Sequence, residues 1–130
     1  MKVCGVCNIQ LEKSRRKYCS DTCTKKAFIA RDPKRHLIQQ RKSHIKIKYN
    51  LTWESYTELY NSQKGKCKIC ETPVKLMGSN AEHSEVARID HSHRTGKIRG
   101  ILCNECNKGL GSFKDNIKSL KNAISYLEDI

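Results

Sequence analysis

The residues best equipped for chemistry lie in one stretch, from Asp90-His91-Ser92-His93-Arg94 through Lys97, Arg99 and Cys103 to Asn107. Phosphodiester hydrolysis needs a divalent cation to neutralise charge building on the phosphate oxygens, and a base to activate water. Asp90 is a hard oxygen donor suited to Mg²⁺ or Mn²⁺. Its neighbour His91, with an unperturbed pKa near ~6.5, can serve as that base at neutral pH. Adjacent residues of a regular strand point to opposite sides, so a twist or bulge must bring both into one site. Asn107 can lend a side-chain oxygen to the same cation if the chain folds back as strand, strand, helix. Taken singly, an aspartate here reads as a surface residue and an asparagine as a cap. Their order and combination point to a one-metal site. Arg94, Lys97 and Arg99 flank it and can grip phosphates, a solvated charge being the plain alternative for each.

Cysteines frame this stretch. Cys67-x2-Cys70 and Cys103-x2-Cys106 are two knuckle-type pairs separated by 32 residues. A tetrahedral zinc ion needs four soft ligands, and each pair offers two thiolates from one tight turn. A second quartet, Cys4-x2-Cys7 with Cys19-x3-Cys23, has a looser second pair and is also read as a zinc site. Free buried thiols or disulfides are the alternatives for both. With both ions bound, the zinc holds structure and does no chemistry.

The elements that must position these groups follow from local signals. Val86–His91 and Lys97–Leu102 read as two short strands joined by a turn at Thr95-Gly96. Asn104–Leu110 is a helix candidate. Gly100 marks a close backbone approach or a bend. Upstream, Asp32-Pro33 reads as an N-cap and first helical residue, so one helix ends near Arg31 and another runs from Pro33 to about Lys48. The second carries Lys34, Arg35, Arg41, Lys42, Lys46 and Lys48 with few aliphatic positions. Thr52 caps a helix in which Trp53, Tyr56, Leu59 and Tyr60 share a face, and Gly65 marks its end. Val74–Glu85 reads as loop. A last helix carries Phe113, Ile117, Leu120, Ile124 and Leu127, a stripe that packs on its own chain or forms a dimer seam.

Bulk properties narrow the class. A chain of 130 residues with 37% hydrophobic and 6% aromatic residues cannot build a large apolar core, and chains this small lean on metals, disulfides or oligomerisation. The net charge of +13 is uneven: residues 1–49 hold 14 Lys/Arg against 3 Asp/Glu, and residues 50–130 hold 12 against 10. That concentration is the footprint of a polyanion binder, with a merely solubilising basic tail as the alternative. The segment lacks the broad apolar face of a membrane-surface helix. No apolar run spans a bilayer and no signal peptide is recognisable, so a reducing, cytoplasmic location is expected, where paired cysteines hold zinc more often than they form disulfides.

The stretch Gly65-Lys66-Cys67-Lys68-Ile69-Cys70 together with residues 90–111, DHSHRTGKIRGILCNECNKGLG, resembles the recombination endonuclease VII family, a branch of the HNH nucleases encoded mainly by tailed phages. The resemblance covers roughly residues 50–130. It implies a ββα-metal fold within a small zinc-stabilised α+β chain, with structural zinc on Cys67, Cys70, Cys103 and Cys106. It also implies a catalytic Mg²⁺ on Asp90 and Asn107, His91 as general base and His93 assisting at the scissile phosphate. The implied products are a 5′-phosphate and a 3′-hydroxyl, and the implied location for a phage-encoded member is the host-cell cytoplasm. Two features depart from the family member of T-even phages: Arg88 stands where it has a further histidine, and only 24 residues follow Cys106.

The expected organisation is a zinc-knuckle module over 1–31, a basic helical linker over 32–50 and an HNH endonuclease VII-like domain over 51–130. The expected function is a metal-dependent endonuclease acting on duplex or branched DNA, as a monomer or a homodimer, with two structural zinc ions and a catalytic Mg²⁺ or Mn²⁺. The alternative is a zinc module that binds nucleic acid without cutting it; such a protein has no need of Asp90, His91 and Asn107. A zinc-dependent nucleobase deaminase is the other rival, since His83-Ser84-Glu85 and Cys103-x2-Cys106 mimic its signature. That signature wants a proline where Leu102 stands, and it leaves Cys67 and Cys70 unemployed.

Overall fold

A computed structural model describes residues 1–12, 16–78 and 84–129, so His83 and part of the Val74–Glu85 loop lie outside the described residues. The elements in chain order are α1 (Asp21–Arg31), α2 (Pro33–Tyr49), α3 (Trp53–Ser62), β1 (Arg88–His91), β2 (Ile98–Leu102), α4 (Asn104–Ser112) and α5 (Ile117–Glu128). The result is a small α+β chain in which a two-stranded antiparallel sheet is followed directly by a helix, consistent with an HNH-like ββα arrangement. Two compact units are present, Met1–Arg41 and Lys42–Ile130, and α2 runs through the division.

The helix boundaries have side-chain causes. Ser20 caps α1 by accepting from the Cys23 backbone N–H. Asp32 accepts from the Arg35 N–H at 3.0 Å and so opens α2, whose first residue is Pro33. Thr52 caps α3 through the Ser55 N–H at 3.1 Å, and the chain leaves that helix through Lys64 and Gly65, both at positive φ. Cys103 caps α4 with its own sulfur, which accepts from the Cys106 N–H at 3.3 Å. A zinc-type knuckle and a helix start are therefore one structure.

The core of the second unit gathers Ile45, Tyr56, Val74, Ala87, Ile89 and Ile101. Ile45 comes from α2, Tyr56 from α3, and Ile89 and Ile101 face one another across the sheet. Tyr56, buried, and Tyr60, half-buried, satisfy their hydroxyls on the start of the loop before the sheet: Tyr56 donates to the Leu76 carbonyl at 3.1 Å and Tyr60 to the Val74 carbonyl at 2.7 Å. Residues 74–76 thereby acquire a fixed path although they lack strand or helix patterning.

The outer edge of β2 is finished by a side chain. The Gln63 amide accepts from the Ile101 N–H at 2.9 Å and donates to the Ile101 carbonyl at 2.9 Å, as a neighbouring strand would. The Lys68 N–H also donates to the Ile101 carbonyl, and the Lys68 ammonium to the Arg99 carbonyl at 3.1 Å. Gly100 is needed here: a Cβ on it would lie 2.9 Å from Lys68 Cδ and 3.0 Å from Gln63 Oε1.

One expected element differs. Phe113 is not part of the last helix; it is the C-cap of α4, and a turn through Lys114 and Asp115 separates it from α5. The α5 stripe is not buried on its own chain either: Ile117, Ile124 and Leu127 are more than half exposed. Heptad spacing announced an amphipathic helix, and the spacing alone could not say what covers it.

Candidate active site

The eight cysteines form two tetrads, Cys4/Cys7/Cys19/Cys23 and Cys67/Cys70/Cys103/Cys106, within each of which the sulfurs lie within 4.8 Å of one another. No disulfide links them. The Sγ separations are 3.4 Å for Cys7–Cys19, 3.6 Å for Cys19–Cys23 and 3.7 Å for Cys70–Cys103. A tetrahedral zinc with Zn–S bonds near ~2.3 Å has an S···S edge of about 3.8 Å, so these distances read better as edges of a ligand tetrahedron than as thiol hydrogen bonds. Local donors prepare the first thiolates. The Cys7 backbone N–H beside Cys4 lowers that thiol to about 6, and the Thr72 hydroxyl, 3.2 Å from Cys70, lowers Cys70 to about 6. Burial pushes Cys106 up. Both donor sets fit a structural Zn²⁺. Because the second tetrad employs Cys67 and Cys70 together with Cys103 and Cys106, the arrangement disfavours the deaminase rival.

The helix that follows Cys103, α4, packs on both strands. Asp90 lies on β1 and is 9% exposed. The strand pairing shifts immediately after it: Asp90 faces Gly100 while His91 faces Ile98, which leaves Arg99 as the extra residue of a β2 bulge. A bulge is present at this strand end, and its extra residue belongs to β2 rather than to the strand that carries Asp90 and His91. Its extra residue grips Asp90. Arg99 Nε donates to Asp90 Oδ2 at 2.7 Å and a terminal nitrogen to Oδ1 at 2.9 Å, and the same terminal nitrogen donates to Asp115 at 3.1 Å. Hydrogen bonds to Asp90 push the Arg99 guanidinium still further above its already high range, so it is charged at every accessible pH.

His91 has different neighbours. Its ring meets Tyr49, the last residue of α2, edge-on at 5.3 Å, and His93 at 4.9 Å. His44 in turn lies 6.2 Å from Tyr49. Asp90 borders a cavity that Lys68, Ile69, Gly100 and Leu110 also line. Asn107 is half-buried in the first turn of α4, its backbone N–H on the Cys103 carbonyl at 3.1 Å. His93, Arg94 and Lys97 are exposed on or beside the turn between the strands. On α2, Lys34, Arg35, Lys46 and Lys48 are exposed, Arg41 is half-buried, and Lys42 lies over the Trp53 ring at 5.6 Å.

The sequence profile of recombination endonuclease VII matches residues 42–129. The chain belongs to the recombination endonuclease VII family. It is also 33% identical to the Gene 59 protein of Mycobacterium phage L5 and to that of Mycobacterium phage D29, over 135 aligned positions that cover 92% of this chain and 78% of each relative. The family match begins where the second compact unit begins, so the family's part of α2 is the stretch that supplies Ile45 to the core and Tyr49 to His91.

Tyr49, Gln63 and Asp115 were not among the residues that the sequence singles out. Tyr49 sits at a helix end 42 residues before His91, and Asp115 on a turn 25 residues after Asp90. Neither separation carries a local signal. Only Gly100 hinted at crowding on β2, where the Gln63 amide and the Lys68 side chain press close.

Proposed function

We propose that this protein is a metal-dependent DNA endonuclease that hydrolyses phosphodiester bonds by a one-metal HNH mechanism. The observation that carries the reading is a buried carboxylate on β1, at a pairing shift just before a histidine, in a strand–strand–helix unit whose helix start carries two cysteines of a tetrad. Asp90 and Asn107 would hold the cation, which when bound supplies charge neutralisation at the scissile phosphate and its leaving oxygen. His91 accepts the proton of the attacking water. In-line attack places water and leaving group on opposite sides of phosphorus, so base and cation ligands need a phosphate's width between them, not contact. The distinct neighbours of Asp90 and His91 support that division. Tyr49 and His93 limit how the His91 ring can turn, and His93 can donate to a phosphate oxygen. Arg94 and Lys97 meet the flanking backbone. The exposed bases of α2, Lys34, Arg35, Lys46 and Lys48 among them, with Arg41 and Lys42, hold the duplex or branched DNA without reading its sequence. The exposed apolar face of α5 supports a homodimer, and the phage origin of the relatives supports action in a host-cell cytoplasm.

The test is Mg²⁺- or Mn²⁺-dependent nicking of supercoiled plasmid by zinc-loaded protein. Asp90→Asn and His91→Ala should each lower the rate at least about a hundredfold, the general acid–base range, while zinc content and DNA binding survive. Nicking that persists unchanged in both variants would overturn the reading in favour of a contaminant or another site. Binding without cleavage by the unaltered chain would favour the non-catalytic module.

A further inference from the structure

The Asp90 carboxylate is not waiting free for a cation. Arg99 holds both of its oxygens in a two-point fork, at 2.7 and 2.9 Å. A carboxylate has about four lone-pair positions, and a fork of this kind uses one on each oxygen. One position per oxygen is left, in a direction fixed by the plane of the guanidinium. The guanidinium is itself restrained, because Asp115 accepts from the same terminal nitrogen at 3.1 Å. Asp115 sits at φ +54°, after Lys114 at φ +52°, a left-handed pair that side chains rarely adopt. Its N–H bonds the Leu110 carbonyl at 3.0 Å, which ties this turn to the end of α4, the helix that carries Asn107. Arg99 is also the extra residue of the β2 bulge. A regular ladder would have no residue at this place.

We propose that Arg99, oriented by Asp115, is the positioning residue of Asp90. The chain Asp115–Arg99–Asp90 sets which oxygen lone pairs the carboxylate offers to a cation and fixes them relative to α4. This rests on the nuclease reading for its purpose, but not for its geometry.

The test uses the full, zinc-loaded chain and Arg99→Ala, Arg99→Lys, Asp115→Asn and Asp90→Asn. In the protein free of Mg²⁺ and Mn²⁺, the Arg99 Nε–H signal in ¹⁵N NMR should exchange slowly with water. It should become fast in Asp90→Asn and intermediate in Asp115→Asn. In plasmid cleavage, Arg99→Ala should lower kcat about 10- to 100-fold with KM for DNA unchanged, the range found for residues that orient metal ligands. Asp115→Asn should act in the same direction and less. Arg99→Lys should not restore the rate, since an ammonium cannot fork a carboxylate. Methylguanidinium below denaturing concentration should restore part of it in Arg99→Ala, because the Arg99 side chain is 40% exposed and the gap is reachable. A rise in KM with kcat unchanged would assign Arg99 to a phosphate contact and overturn the proposal. So would Nε–H exchange as fast in the unaltered chain as in Asp90→Asn. If Arg99→Ala loses its fold or zinc, Asp115→Asn and the exchange measurement decide. If the unaltered chain cuts no DNA, the nuclease reading falls, and the Nε–H result alone judges the relay.

Discussion

At the scale of single residues, the chemistry-bearing types were legible because each has a narrow use. Paired thiols at knuckle spacing ask for zinc, and their sulfurs gather into tetrads at zinc-like separations. The pleat of a regular strand asks for a twist or a bulge at the strand end; the pairing shift falls between Asp90 and His91, with its extra residue, Arg99, on β2. Arg99 was read as a phosphate contact from its flanking position, and its partners Asp90 and Asp115 became visible only in three dimensions. Two predictions belong here. Gly100→Ala should destabilise the zinc-loaded chain by about 1–3 kcal/mol, seen as a lower Tm, because the added methyl meets the Gln63 amide as well as the movable Lys68 chain. The second concerns acid. Zinc must displace the proton of every ligand thiol, those held low (Cys4, Cys70) and those pushed up (Cys7, Cys103, Cys106), so zinc occupancy against a competing chelator should fall as pH is lowered. Metal analysis after gel filtration across pH reads this, and zinc retention independent of pH would contradict it.

At the scale of elements, caps and turns carried most of the legible fold. Asp32-Pro33, Thr52 and the Thr95-Gly96 turn act over three or four residues, so the sequence presents them whole. Elements whose place depends on a distant partner could not be read that way. The Gln63 amide completing the β2 edge spans 38 residues, and the tyrosine hydroxyls that fix the loop reach 14 and 20 residues ahead. The last helix was recognised but begun too early, because Phe113 continues the apolar spacing while its backbone closes α4. Gln63→Ala is the test at this scale. It takes the amide away from the buried Ile101 N–H and carbonyl, and should cost about 1–3 kcal/mol. Thermal unfolding checks it; an unchanged Tm would mean that the edge of β2 needs no amide.

At the scale of the whole molecule, the uneven charge and the small core act together. Among the described residues few side chains are buried, which makes the cysteine tetrads the candidate staples, and the proposed hold on a polyanion rests on the basic helix. Replacing Lys34, Arg35, Lys46 and Lys48 together by glutamine should weaken DNA binding and flatten the slope of log K against log salt, by about 0.9 for each phosphate that these side chains had neutralised. The four are exposed, so the fold should tolerate the change. An unaltered slope would assign α2 to another partner. Removing residues 1–49 would be a poorer experiment, since it deletes Ile45 from the core and Tyr49 from His91.

A zinc-clamped strand–strand–helix that gathers Asp90 and Asn107 around a second, harder cation, with His91 across the phosphate, is the claim on which the proposed activity depends. Anomalous diffraction from crystals of the zinc-loaded protein grown with Mn²⁺ and a short DNA duplex tests it most directly. The expected result is a manganese peak bonded to an Asp90 carboxylate oxygen and the Asn107 side-chain oxygen, with His91 on the far side of the bound phosphate. Manganese bound elsewhere, with Asp90 and Asn107 both away from it, would contradict it.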